Sequence, residues 1–264
     1  MPYQLTEIIK RCNKTDLAFI IETIDSYINF SADKKLKKML EQWDGESTLP
    51  DSFAQLLETE IRYAASSDVA YAYRKLRGEV PAGVDVNEII DDIARVQKLH
   101  IKPISSLEGR LEYLVRAIVE KRILALTPEE QVQFLKGCGV ESKKIEEIVG
   151  GIRNNPLKLF PILAVVLGEQ ATLELVKGLV LAVMASFLGK EAAKKVLEVV
   201  AQRLPGQFLG PIMWVASIGW LGVDLCGPAF RKTIPIMLTL GMVALRNGPE
   251  SGDAFFNSDG DLPE

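Results

Sequence analysis

Residues 15–29, TDLAFIIETIDSYIN, show the pattern that decides the fold class. Their apolar side chains recur at spacings of three, four and seven residues, which places them on one face of an α-helix. These side chains are Leu17, Ile20, Ile21, Ile24, Tyr27 and Ile28. Similar spacings continue through residues 1–155, and no segment shows the sustained two-residue alternation of strands. The sequence therefore predicts an all-α multi-helix bundle.

Helix start signals agree with this prediction. Thr127-Pro128-Glu129-Glu130 combines an N-cap, a proline at the first helical position and a glutamate at the third. Further candidate N-caps precede other apolar runs, and these are Ser31, Asp85 and Ser105. A helix that ends at Gly78 is expected to continue the inward-facing apolar positions with Val69, Tyr71, Tyr73 and Leu76.

The composition changes along the chain. Residues 1–155 carry 22 Lys/Arg and 25 Asp/Glu, whereas residues 156–246 carry only 9 Lys/Arg and 5 Asp/Glu. In residues 156–246, 54 of the 91 positions are apolar. This shift predicts a polar N-terminal helical layer packed on an apolar C-terminal layer broken by Gly and Pro. The expected segments are 1–45, an N-terminal helical segment; 46–152, a central helical domain; 153–246, an apolar helical region; and 247–264, a flexible acidic tail.

The tail has five acidic residues and no basic one, and it is rich in Gly, Ser and Pro. This composition favours a solvated end. The adjacent Phe255 and Phe256 leave a second interpretation open, in which the tail is a short docking peptide.

Overall composition excludes several functions. The net charge of -4 argues against nucleic-acid binding, which normally needs a basic excess. The three cysteines, Cys12, Cys138 and Cys226, are far apart, and the first residues form no apolar export signal, so we expect a cytoplasmic protein. The single histidine removes most metal sites and catalytic triads.

The apolar region admits three interpretations. Residues 204–223 contain 20 uncharged positions, long enough for a membrane-spanning helix, but prolines and glycines interrupt them. A buried core and a surface that dips into lipid are the other two. Trp214 and Trp220 suit a membrane interface, as do the nearby bases Arg231 and Lys232, but all four also suit packed helices and their rims.

Residues that could carry chemistry have simpler explanations. His100 follows a predicted helix, where it interacts with solvent and helix-end carbonyls. Asp91 and Arg95 lie four residues apart, which predicts a surface ion pair within the acidic group of Glu88, Asp91 and Asp92. Cys138 stands between two glycines at a predicted helix end, and would be reactive only if its pKa were lowered. We therefore predict no catalytic, cofactor or metal site.

Two stretches resemble the YaaW-like family of uncharacterised bacterial proteins. They are RKLRGEVPAGVDVNEIIDDIARVQKL, residues 74–99, and AFRKTIP, residues 229–235, and the similarity extends over roughly residues 50–246. The central part of that family resembles ubiquinol-cytochrome c chaperone domains, so the resemblance implies an all-helical assembly factor. Glu79-Val80-Pro81 departs from the glycine-rich loop associated with the family.

We therefore predict a non-enzymatic helical protein that associates with a protein partner or with the anionic inner face of a membrane. Association of the chain with copies of itself, as a homo-oligomer, is a further open alternative. The predicted interaction residues are Ile212, Met213, Trp214, Trp220, Pro228, Phe230, Arg231, Lys232 and Pro235, with a bend over residues 227–235. The alternatives are a membrane-perturbing effector and an enzyme with an unrecognised site, for which the nearest candidates are Asp224, Arg231 and Thr233.

Overall fold

The computed structural model describes residues 3–24, 30–66, 68–101, 106–187, 228–250 and 252–256. This part of the chain forms twelve α-helices and no strand, which confirms the predicted all-α multi-helix bundle. The helices are α1 (Thr6–Lys10), α2 (Lys14–Ile24), α3 (Phe30–Gln42), α4 (Asp51–Ala64), α5 (Asp68–Leu76), α6 (Val86–Val96), α7 (Leu107–Leu124), α8 (Pro128–Gly137), α9 (Ser142–Asn154), α10 (Leu159–Leu167), α11 (Glu169–Phe187) and α12 (Pro228–Ala244). Three short 3-10 turns cover Pro156–Lys158, Leu245–Asn247 and Gly252–Phe255.

Local capping signals predicted two helix starts correctly. The Thr127 hydroxyl accepts the Glu130 N–H at 3.2 Å, and the Glu130 carboxylate accepts the Thr127 N–H at 2.7 Å, so the predicted capping box starts α8. The Asp85 carboxylate likewise accepts the Asn87 N–H at 2.9 Å and caps α6. Both signals involve only neighbouring residues, so they operate wherever the helix packs.

Two predicted caps were wrong by a small shift. The N-cap of α7 is Ser106, whose hydroxyl accepts the Gly109 N–H at 3.0 Å, and not Ser105. Ser31 lies inside α3, which begins one residue earlier at Phe30.

One of the strongly apolar helices, α12, lies at the centre of the described residues. It packs chiefly against α7, and also against α1, α2, α4, α6 and α11. Its buried apolar side chains are Ile234, Ile236, Met237, Leu238, Leu240 and Val243. Burying one such side chain contributes about 1.5–3 kcal/mol, so α12 is a main source of stability.

A glycine allows α12 to approach α7 closely. A Cβ atom added at Gly241 would lie 2.6 Å from Val115 Cγ2 and 2.8 Å from the Leu111 carbonyl oxygen, both in α7. The second of these atoms is backbone and has little freedom to move. Only glycine therefore fits at this crossing.

Pro235 lies inside α12, and it does not mark the predicted bend. The helix runs from Pro228 to Ala244, and Pro235 is buried within it. The Thr239 hydroxyl donates to the Pro235 carbonyl at 2.9 Å in the buried interior. Residues 228–235 are helical, so the expected bend over residues 227–235 is wrong for them. Pro235 is accommodated inside the helix, where other helices pack around it.

Basic side chains at the two ends of α12 bind the N-terminal helices. Lys232 Nζ donates to the carbonyl of Ile24, the last residue of α2, at 3.2 Å. Beyond the other end, Arg246 donates to the Arg11 carbonyl at 2.7 Å and contacts the Asp16 carboxylate at 2.5 Å. These contacts fix the direction in which α12 inserts.

One hydrophobic core spans the described residues. It includes side chains from each predicted segment, such as Leu17, Leu114, Leu238 and Phe255, so the described residues do not form separate cores along those boundaries. Residues 252–256 also differ from the expected solvated tail, because Phe255 and Phe256 are buried. The two rings pack on the body of the same chain, and the alternative of a docking peptide stays a prediction.

Within the residues that the structure describes, none of the helices is long and apolar enough to cross a membrane. The 20-residue run over residues 204–223 lies outside them.

Candidate functional site

The predicted interaction residues are only partly described. Ile212, Met213, Trp214 and Trp220 lie outside the described residues, as does Asp224. Pro228 begins α12, and the three residues that follow Ala229 differ in exposure: Phe230 and Lys232 are half-buried, whereas Arg231 is exposed. Pro235 and Thr233 are buried, and Lys232 is engaged with α2. The predicted interaction surface stays a prediction.

A different region exposes large apolar side chains. Among the described residues, six large apolar side chains are exposed, and three of them lie within residues 73–80. Leu76 is 87% exposed, Val80 is 67% exposed and Tyr73 is 59% exposed. The prediction that Tyr73 and Leu76 face the core is therefore wrong.

Basic side chains surround these exposed apolar groups. The Arg77 guanidinium lies 5.6 Å from the centre of the Tyr73 ring, and Lys75 Nζ lies 6.0 Å from the centre of the Tyr71 ring. We call Tyr73, Arg74, Lys75, Leu76, Arg77 and Val80 the α5 patch. It carries three bases on a chain whose net charge is -4. Bases that flank exposed aromatic and aliphatic groups are typical of interfacial sites.

Few contacts attach α5 to the other helices among the described residues. The Tyr71 and Tyr63 rings meet edge to face with their centres 4.5 Å apart. Arg74 reaches the Glu88 carboxylate of α6 at 3.6 Å. These two contacts hold one side of α5 and leave the side that carries Leu76 in solvent.

The turn after α5 is built around a left-handed glycine. Gly78 has φ +74°, its N–H donates to the Lys75 carbonyl at 3.0 Å, and the Glu79 N–H donates to the Arg74 carbonyl at 3.1 Å. This pair of bonds is a Schellman motif, which ends a helix and reverses the chain. The predicted helix end at Gly78 is thus confirmed.

The loop beyond this turn is clamped on α4. Arg62 Nε donates to the Val84 carbonyl at 2.8 Å, and the Val84 N–H lies 2.9 Å from the Ser66 hydroxyl, which accepts from it. A Cβ at Gly83 would lie 2.4 Å from Arg62 Cβ and 2.5 Å from its carbonyl carbon, so only glycine fits. The α5 patch is therefore carried on an anchored segment.

Buried charges elsewhere have structural roles. The Glu58 carboxylate of α4 accepts the N–H groups of Gln4 and Leu5, each at 2.8 Å, at the start of α1. Burial raises the pKa of Glu58, although those backbone donors and Arg62 oppose the shift. The Glu58 carboxylate thus joins α4 to the start of α1, and its oxygens are used in these hydrogen bonds.

The acidic group on α6 divides into ion pairs with different partners. Asp91 pairs with Arg110 of α7, and Arg95 pairs with Asp92, so the predicted Asp91–Arg95 pair is wrong. Glu88 is the partner of Arg74. No cluster of His, Cys, Asp or Glu suited to a metal ion occurs in the described part of the chain.

The remaining side chains considered for catalysis are either buried cysteines or residues in different environments. Burial raises the pKa of the Cys138 thiol to about 12, which keeps it protonated, and burial also raises the pKa of Cys12. His100 is exposed beyond α6, as expected of a solvated histidine. Arg231 is exposed whereas Thr233 is buried, so these two candidates for a catalytic site face different environments.

Helical periodicity alone missed the α5 patch. The signal that could have found it is the interleaving of Arg74, Lys75 and Arg77 with the supposed core positions Tyr73 and Leu76. A helix with bases on either side of its apolar positions cannot bury the whole apolar set without desolvating charge.

These features define an all-helical protein with a central apolar helix and an exposed basic-apolar patch. The chain is 21% identical over 202 residues to a protein named UPF0174 protein from Helicobacter pylori (strain J99 / ATCC 700824), which covers 76% of this chain and 74% of that protein. No family model matches the chain, and no solved structure matches it. The similarity supports a relationship to an uncharacterised bacterial family, and the YaaW-like resemblance stays a prediction. The relative's name states no activity, ligand or partner.

Proposed function

We propose that this protein acts without catalysis, by docking on an anionic membrane surface through the α5 patch. The observation that carries the proposal is Leu76, 87% exposed and directly followed by Arg77. A cytoplasmic location with peripheral attachment at the inner membrane is part of the proposal.

Charge and side-chain type both favour a lipid surface. Each base near an anionic bilayer contributes about 1 kcal/mol of attraction, and Lys75 and Arg77 directly flank Leu76, whereas Arg74 is engaged with Glu88. Tyr73 brings an aromatic ring of the kind that is enriched at the headgroup level. Leu76 and Val80 supply aliphatic groups that enter the boundary between headgroups and acyl chains.

The small size of the patch favours lipid over a protein partner. The nine residues of α5 span about 14 Å, whereas a stable protein interface buries about 800 Å² on each partner. A bilayer needs no shape complementarity, so a few exposed side chains suffice for weak, reversible attachment. An assembly-factor role that uses a protein partner would require a further surface.

The test is co-sedimentation of the full chain with vesicles. Vesicles of phosphatidylcholine alone are compared with vesicles that also contain phosphatidylglycerol, at low and high salt. We expect binding only to the anionic vesicles, weakened by salt. Leu76→Asp should weaken this binding by about tenfold or more, because it removes the exposed aliphatic group that would enter the bilayer and adds a negative charge.

Two matched variants sharpen the experiment. Val165→Asp changes an equally exposed apolar side chain on α10, a helix without bases, and should leave vesicle binding unchanged. Glu88→Gln removes the acidic partner of Arg74 and should strengthen binding by about threefold.

The alternatives give different results. Equal effects of Leu76→Asp and Val165→Asp, or no preference for phosphatidylglycerol, would overturn the proposal. Loss of binding in Trp220→Asp with normal binding in Leu76→Asp would move the site to residues 212–220. Release of entrapped calcein from the anionic vesicles would instead support the membrane-perturbing alternative.

A further inference from the structure

The described residues near the C-terminus return to the body of the protein and dock against α7. Phe255 is fully buried, and its ring meets the Phe160 ring of α10 edge to face with centres 5.5 Å apart. The Tyr113 ring of α7 lies 6.1 Å away in a similar orientation. Phe255 therefore occupies an aromatic pocket between α7 and α10.

Polar groups of α7 bind the backbone of the same segment. Arg116 Nη1 donates to the Phe255 carbonyl at 2.6 Å, and its guanidinium lies 4.9 Å from the centre of the Phe160 ring. One oxygen of Glu112 accepts the Glu250 N–H at 2.8 Å. Contacts to backbone groups hold a peptide segment by its position and direction, as peptide-binding sites do.

The N-terminus of α7 binds the Glu250 carboxylate and forms the third contact with the segment. Glu250 accepts the Gly109 N–H at 3.1 Å and the Ser106 hydroxyl at the N-terminus of α7. The positive end of the helix dipole favours an anion at this place. The cleft lined by Ser106, Gly109, Glu112, Tyr113, Arg116 and Phe160 is called the α7 cleft below.

We propose that the α7 cleft is a peptide-binding site for a carboxylate followed five residues later by an aromatic pair, and that Glu250 and residues 252–256 are its resident ligand. The ligand in trans is a peptide of this chemistry, of which the same segment in a second copy of the chain is one example. The site is separate from the α5 patch, so each proposal can fail alone.

The resident segment leaves part of the cleft unsatisfied. The second oxygen of Glu112 is buried without a hydrogen-bond partner among the described residues, and Glu112 itself is fully buried. A buried carboxyl oxygen without a hydrogen-bond partner is unfavourable whether or not it carries the proton. This feature favours exchange of the resident segment, because a competing peptide that pairs with this oxygen would fill the cleft better.

The test uses a fluorescent peptide of residues 247–257, NGPESGDAFFN, and the full-length chain. In the wild-type protein the resident segment competes, since its effective concentration is high. Phe255→Ala and Glu250→Gln in the protein should each loosen the resident segment. The affinity of these variants for the peptide should therefore be higher than that of the wild type by about tenfold or more. Fluorescence anisotropy measures the difference.

Changes in the peptide and in the cleft provide the specificity controls. A peptide with Phe255→Ala should bind about tenfold or more weakly, because it lacks the aromatic anchor. Arg116→Met, added to the Glu250→Gln protein, should weaken binding of the unmodified peptide to a similar degree. Circular dichroism establishes that each protein variant is folded.

If Phe255→Ala does not fold, the Glu250→Gln protein decides the outcome, because it keeps every buried aromatic ring. Failure of the peptide to bind a folded Glu250→Gln protein would overturn the proposal and assign Glu250 and residues 252–256 to ordinary core packing. Equal binding of the unmodified and Phe255→Ala peptides would overturn it as well.

Discussion

The helices α12 and α5 both combine apolar side chains with lysine and arginine, but the structure places them in opposite environments. In α12, the apolar residues from Ile234 to Val243 are buried almost throughout, and Lys232 binds the end of α2. In α5, Tyr73 and Leu76 are exposed beside Arg74, Lys75 and Arg77. The more apolar helix is thus the less accessible one.

The difference shows that exposed apolar area, and not apolar content, marks a candidate interaction surface. A strongly apolar helix gains most by entering the core, where neighbouring helices cover it from every side. A mixed helix cannot be covered without desolvating its bases, so some of its apolar groups remain outside. The α5 patch is informative because its apolar groups are exposed in spite of their hydrophobicity.

The strongest test of this comparison replaces one leucine in each helix with aspartate. Leu238→Asp should lower the free energy of unfolding by about 4 kcal/mol or more, since it buries an unpaired charge in the centre of the core. Leu76→Asp should change it by less than about 0.5 kcal/mol. Urea denaturation followed by circular dichroism measures both, and similar losses in the two variants would contradict the assigned environments.

A smaller effect is expected at the crossing of α12 and α7. Gly241→Ala should destabilise the protein by about 2 kcal/mol, because the new methyl group meets the Leu111 carbonyl and Val115. Gly150→Ala in α9 is the matched control, since nothing lies within 4 Å of its added Cβ. It should stabilise the protein by about 0.5–1 kcal/mol through helix propensity. Equal stability of the two variants would show that the helices are farther apart than described.

The smallest effect concerns the α7 cleft and depends on pH. Burial raises the pKa of Glu112 from 4.5 to about 7; Glu108 and Glu250 add to the shift, whereas the Glu250 N–H and Arg11 oppose it. The folded protein therefore holds this proton more tightly than the unfolded chain, and stability should fall as pH rises through this window.

Glu112→Gln should remove this dependence. The stability difference between wild type and variant should change by on the order of 1 kcal/mol between about pH 4.5 and about pH 7.5, with the wild type losing more at the higher pH. Chemical denaturation at several pH values measures the difference. A constant difference across the range would show that Glu112 is hydrated in solution.

Local features of the fold were predictable from sequence, whereas the candidate sites were not. The Thr127 capping box, the Asp85 cap and the Gly78 helix end depend on neighbours within a few residues, and all three are observed. Ser105 was predicted as the cap of α7, whereas the observed cap is its neighbour Ser106. Tyr73 and Leu76 were assigned inward because periodicity finds a face without identifying what covers it.

The sequence by itself determined the all-helical class, the helix boundaries marked by Asp85, Thr127 and Gly78, and the strongly apolar character of the region that contains α12. The tertiary structure decided that α12 lies in the middle, that Phe255 fills a pocket between α7 and α10, and that Leu76 stays in solvent. The physical reason is range: a cap or a periodic face depends on residues a few positions apart, whereas burial depends on helices separated by more than a hundred residues of chain, such as α7 and α12.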